Sequence, residues 1–98
     1  MEIKECVVLF KTSELLNELL VVLYNLGYTN LPEDLTDIRY HIILRSDYKV
    51  YWIPEIRTMW KAIDFAKSKK INYLELENFY LYKDKLGLLF GANIYEKN

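Results

Sequence analysis

Leucine recurs at spacings of three and four through the first third of the chain, at Leu15, Leu16, Leu19, Leu20, Leu23 and Leu26. That period lays one apolar stripe along an α-helix. Glu14, Asn17, Glu18 and Asn25 fall on the other side. Thr12 and Ser13 offer N-caps, and Glu14 puts a negative charge in the first turn, where the helix dipole favours it. Gly27 suits the left-handed residue that closes a helix. Upstream, Glu2 to Phe10 (EIKECVVLF) reads as a strand. Cys6, Val8 and Phe10 share one face, and Ile3, Val7 and Leu9 the other. Apolar residues on both faces predict a central strand.

Thr29 to Asp37 (TNLPEDLTD) gathers Asn, Pro, Asp and Thr and reads as a loop. Asp37 to Ile53 (DIRYHIILRSDYKVYWI) then predicts a β-hairpin around Ser46-Asp47. An even-length loop pairs Leu44 with Lys49, Ile42 with Tyr51 and Tyr40 with Ile53. An odd loop swaps these pairings. Pro54 ends the strand and fits the first turn of a second helix, with Glu55 at its positive end. Its core stripe reads as Ile56, Met59, Trp60, Ile63 and Ala66. Arg57, Lys61, Asp64, Phe65, Ser68 and Lys69 make the outer face, and Lys67 to Lys70 (KSKK) closes the helix. Ile71 to Leu76 alternates enough for a strand, with a short helix over LELENF as the other reading. Phe79–Tyr82 and Leu86–Phe90 read as a second hairpin around Lys83-Asp84-Lys85.

The order strand, helix, strand, strand, helix, strand predicts an α+β fold of the ferredoxin-like, split βαβ kind. Strands one and three lie in the centre of an antiparallel sheet. Both helices cover one face, and a C-terminal hairpin is added. The other face is open unless that hairpin or a partner covers it. The 98 residues make one domain, 1–98.

Composition narrows the function. Hydrophobic residues at 52% with charged residues at 28% exclude a wholly disordered chain. A net charge of −1 gives no global pull toward nucleic acid or an anionic membrane, so any such binding needs a local patch such as Lys67 to Lys70. No apolar run approaches the ~18 residues of a membrane span. The charged opening MEIKE has no apolar signal region, so the expected location is the cytoplasm.

Cys6 is the only cysteine and reads as a small buried hydrophobe. His41, the only histidine, reads as a half-buried strand residue. Glu33, Asp34 and Asp37 share the loop but lack a calcium-loop pattern. The glycines at 27, 87 and 91 have no phosphate-loop spacing. The expectation is a protein with neither cofactor nor metal, and not an enzyme.

Val21 and Tyr24 on the polar side of the first helix, and Lys61, Phe65 and Lys69 on the second, are the candidate partner contacts. The run VVLFKTSELLNELLVVLYNLGYTN, followed by YHIIL and VYWI, resembles small proteins encoded by phages and mobile elements. The resemblance covers the first half of the chain and carries no residue roles. It implies a protein that works by binding, such as an anti-CRISPR-like inhibitor that occludes a host defence complex. Two alternatives stand beside it. One is a single-stranded RNA or DNA binder using the open sheet face. The other is a homodimeric small-ligand or regulatory domain.

Overall fold

The structure is a computed structural model and describes residues 5–76. The elements are β1 (Cys6–Phe10), α1 (Ser13–Asn25), β2 (His41–Leu44), β3 (Val50–Tyr51), α2 (Met59–Lys69) and β4 (Asn72–Leu76). They form an α+β fold around a four-stranded mixed sheet in the order β3-β2-β1-β4. β1 runs antiparallel to β2 and parallel to β4. The C-terminal hairpin expected over 79–90 lies outside the described residues.

This order differs from the ferredoxin-like one. β1 and β2 hold the centre, where strands one and three were expected, and the helices cover opposite faces. Cys6, Val8 and Phe10 pack with Leu16, Leu19 and Leu23 of α1, while Val7, Leu9 and Ile43 pack with Ala62 and Ala66 of α2. Neighbouring side chains on a strand point to opposite sides, so these clusters lie on the two faces of the sheet. The reason is the composition of the central strands. Every residue of β1 and β2 is buried, and a sheet apolar on both faces needs a layer on each. The open sheet face assumed by the nucleic-acid alternative is therefore absent among the described residues.

Both helices start and stop by side-chain and backbone logic. Thr12 and Thr58 cap them, each Oγ1 accepting the N–H three residues on, from Leu15 and Lys61. At the end of α1, Gly27 takes φ 95°. The Gly27 N–H bonds to the Tyr24 carbonyl at 3.1 Å and the Tyr28 N–H to Leu23 at 3.0 Å. This is the Schellman closure that Gly27 predicted. α2 ends the same way with Lys70 at φ 56° in place of glycine, and Ile71 donates to Ala66 at 2.9 Å.

The second helix begins later than Pro54 suggested. Pro54 and Glu55 form a turn, and α2 starts only after Thr58. Ala62 and Ala66 face the sheet at zero exposure, while Phe65, expected outside, is partly buried against the cluster they form with Val7, Leu9 and Ile43. Trp60, expected in the core, is 62% exposed. Ile56, Met59, Ile63 and Ala66 of the expected stripe do pack on this side, so the stripe only exchanges Trp60 for Phe65. Alanine lets a helix approach a sheet closely, and a tryptophan there would force it off.

The hairpin loop is odd. Ile43 pairs with Tyr51 and Leu44 with Val50, one residue off the even-loop register. The Tyr48 N–H bonds to the Arg45 carbonyl, and the Arg45 N–H to that of Lys49. Tyr48 itself is left-handed, at φ 61°. That is a turn closed by a bulge, with tyrosine in the position glycine usually fills. Four contacts hold the turn. The Tyr48 ring packs at a tilt against that of Tyr28, with centroids 5.7 Å apart, and the Tyr48 carbonyl accepts from the Thr29 N–H at 2.8 Å. Asp47 accepts from the Lys49 N–H at 3.1 Å and the Tyr51 hydroxyl at 2.7 Å. Asp47→Ala should lower the thermal midpoint by a few degrees and speed amide exchange at Lys49. Unchanged exchange would mean the backbone alone sets this turn.

A cationic groove where both helices begin

α1 follows β1 directly, so it starts at the carboxyl end of that strand. α2 leads into β4, which is parallel to β1, so α2 starts at the same end. Two hollows meet there. One, of about 360 Å³, is lined by residues including Phe10, Lys11, Thr12, Thr36, Arg39 and Tyr40. The other, of about 390 Å³, is lined by Lys11, Tyr40, Arg57, Thr58 and Met59. Lys11 and Tyr40 line both, so the hollows form one groove.

Its charge is positive. Lys11 reaches Glu75 at 3.8 Å. Among the described residues neither Arg39 nor Arg57 forms an ion pair. The partial positive charge of two helix N-termini adds to the same sign. The hollow at the opposite end of the sheet contrasts with this. It is lined by Glu5, Arg45, Ser46, Asp47 and Tyr51. There Arg45 pairs with Glu5 at 3.4 Å and Asp47 is held by Tyr51, so the charges are met within the chain.

The loop before β2 builds one wall. Asp34 accepts from both the N–H and the hydroxyl of Thr36, at 3.0 and 2.8 Å, which holds its carboxyl below the usual range. Leu35, Thr36 and Ile38 then line the groove. Tyr40 takes φ 65°, and its carbonyl accepts from the Phe10 N–H at 3.0 Å. A left-handed tyrosine costs about 1–2 kcal/mol, and such outliers cluster at binding and switch sites. Trp60 opens the first turn of α2 beside Met59.

The two reactive side chains of the described region are occupied elsewhere. His41 is fully buried. Its Nδ1–H donates to the Arg39 carbonyl at 2.9 Å, and its Nε2 accepts from the Ile53 N–H at 3.2 Å. That fixes the neutral tautomer, and burial lowers its pKa from the ordinary range against the opposing pull of the Arg39 carbonyl. Burial pushes the Cys6 thiol up to about 12, so it stays protonated at neutral pH. Glu33, Asp34 and Asp37 do not converge as a metal-binding group, nor does any other acidic, His or Cys set among the described residues. No helix there is long and apolar enough to cross a membrane.

The five contacts proposed from sequence do not converge. Val21 and Tyr24 are exposed on α1, at 61% and 70%. Lys61 and Lys69 are exposed on α2, across the sheet. Lys69 lies at the far end of α2 from the groove, about 15 Å along the axis. Phe65 is packed against the sheet. The groove went unseen because Lys11, Arg39 and Arg57 are distant in sequence. One signal was available. A basic residue precedes each capping threonine, as Lys11-Thr12 and Arg57-Thr58.

No family model matches the chain, and no curated protein or solved structure is significantly similar to it.

Proposed function

We propose that the protein is a non-catalytic binding module that occludes a surface of a partner protein complex. Trp60 anchors the contact, and the groove forms its charged side. The observation that carries this reading is the exposure of Trp60 on a helix that is pinned to the core by Ala62 and Ala66. Tryptophan, tyrosine and arginine dominate the energetics of protein interfaces. Trp60, Tyr40, Arg39 and Arg57 place all three types around one end of the sheet. A rigid helix holding such a side chain in water loses little conformational freedom on binding.

The resemblance to proteins of phages and mobile elements supplies the setting. The partner is then a host defence complex in the host cytoplasm, and the outcome of binding is inhibition by occlusion. The test is stoichiometric capture of a partner from host lysate, with and without nuclease. Trp60→Ala should weaken the captured complex by at least ~30-fold, the equivalent of ~2 kcal/mol at a central interface residue. A complex indifferent to Trp60→Ala would overturn the reading. So would material lost on nuclease treatment.

A further inference from the structure

Granted that protein-binding role, we propose that the groove is an anion socket for a carboxylate-bearing segment of the partner protein. Two guanidinium groups line it, at Arg39 and Arg57, with no ion pair among the described residues, and Lys11, already paired with Glu75 at 3.8 Å, lines both hollows. These side-chain cations carry the attraction, and the Thr58 hydroxyl on the lining, which accepts from the Lys61 N–H, keeps its own proton to donate. A guanidinium fork matches a carboxylate with two parallel hydrogen bonds.

The surroundings select the class of partner. Glu33, Asp34 and Asp37 flank the wall formed by Leu35, Thr36 and Ile38, so a band of negative charge borders the cations. A nucleic-acid strand carries a charge at every phosphate and would meet that band wherever it left the groove. A protein surface carries charges of both signs. One acidic segment can seat on the arginines while basic neighbours face the loop. The groove is also a short hollow rather than a continuous track, which suits a discrete acidic protrusion.

The experiment uses the isotope-labelled full chain. It is titrated by NMR with a short peptide whose two adjacent glutamates are flanked by lysines and, separately, with a short thymidine oligonucleotide. The peptide should shift the amides of Thr12, Tyr40 and Thr58 together, and the shifts should shrink as salt rises. The Arg39→Glu/Arg57→Glu double variant should weaken the peptide at least tenfold, and the milder Arg39→Gln/Arg57→Gln pair should weaken it less. Both arginines are exposed, so a thermal melt should find both pairs folded. Scattered shifts, or a peptide indifferent to the arginines, would overturn the socket even if partner capture still depended on Trp60. Tighter binding of the oligonucleotide than of the peptide would overturn it in favour of a nucleic-acid site. Clustered, arginine-dependent peptide shifts would uphold it even if no partner complex were captured.

Discussion

His41→Ala should destabilise the fold by about 2–4 kcal/mol, combining the lost packing with two backbone groups left without their partners. For a domain of this size that is a fall of roughly 10–30 °C in thermal midpoint. The imidazole ties together the open ends of β2 and β3 beyond the last pair of their ladder. Its Nδ1–H holds the Arg39 carbonyl just before β2, and its Nε2 holds the Ile53 N–H just after β3. His41→Phe keeps most of the volume but neither bond, so it should recover only part of the loss. Full recovery would show that packing alone matters there.

The same geometry sets a pH dependence. A buried imidazole whose Nε2 must accept a hydrogen bond resists protonation, which places its folded pKa below that of the unfolded chain, ordinarily about 6.5. The unfolded state then binds more protons as pH falls below 6.5. The stabilisation is complete above that value and declines as pH drops toward the folded pKa, by at most about 1.4 kcal/mol per pH unit. There is one histidine in the chain, and ordinary carboxylates titrate lower, near 4. Urea midpoints between pH 7.5 and 5 should therefore fall in the natural protein and stay flatter in His41→Phe. Parallel curves would place the titration elsewhere.

Ala62→Leu is expected to cost about 1–3 kcal/mol by overpacking the seam between α2 and the sheet. Trp60→Ala removes a far larger side chain and should change stability by no more than about 0.5 kcal/mol, as for an ordinary surface substitution. Ala62 is fully buried and Trp60 is 62% exposed. Chemical denaturation of the two variants side by side decides the orientation of α2. A severe loss in Trp60→Ala with a mild one in Ala62→Leu would return the tryptophan to the core.

The contrast also marks what could be read before folding. The leucine period of α1 and its Gly27 end are local features, and both are seen. Local too are β1, the hairpin, and the strand at 71–76, where strand and helix competed. On α2 the expected stripe is mostly right, since Ile56, Met59, Ile63 and Ala66 all pack on the sheet side, and only Trp60 and Phe65 exchange places. Thr58 was the cap that mattered. The hairpin register hinged on a left-handed Tyr48, a conformation tyrosine does not announce. The layer order was within reach. Val7 and Leu9 are as buried as Cys6 and Val8, and a strand with two apolar faces already asks for a helix on each. The groove required knowing that Arg39 and Arg57 meet Lys11, which only the folded chain establishes.

The parallel pairing of β1 with β4 has a consequence for how the chain is made. Cys6 lies opposite Asn72, and Phe10 opposite Leu76. β1 leaves the ribosome before its partner along one edge is synthesised. At about 5–20 residues per second, that edge waits roughly 3–13 s. β2 can close the other edge sooner, but the face holding Val7 and Leu9 stays bare until α2 arrives. A nascent chain stalled before Thr58 therefore presents a bare strand edge and an oily surface together, the pairing that recruits other nascent chains or a chaperone. Synonymous codons that slow translation between the hairpin and α2 should lower soluble yield without altering the finished protein.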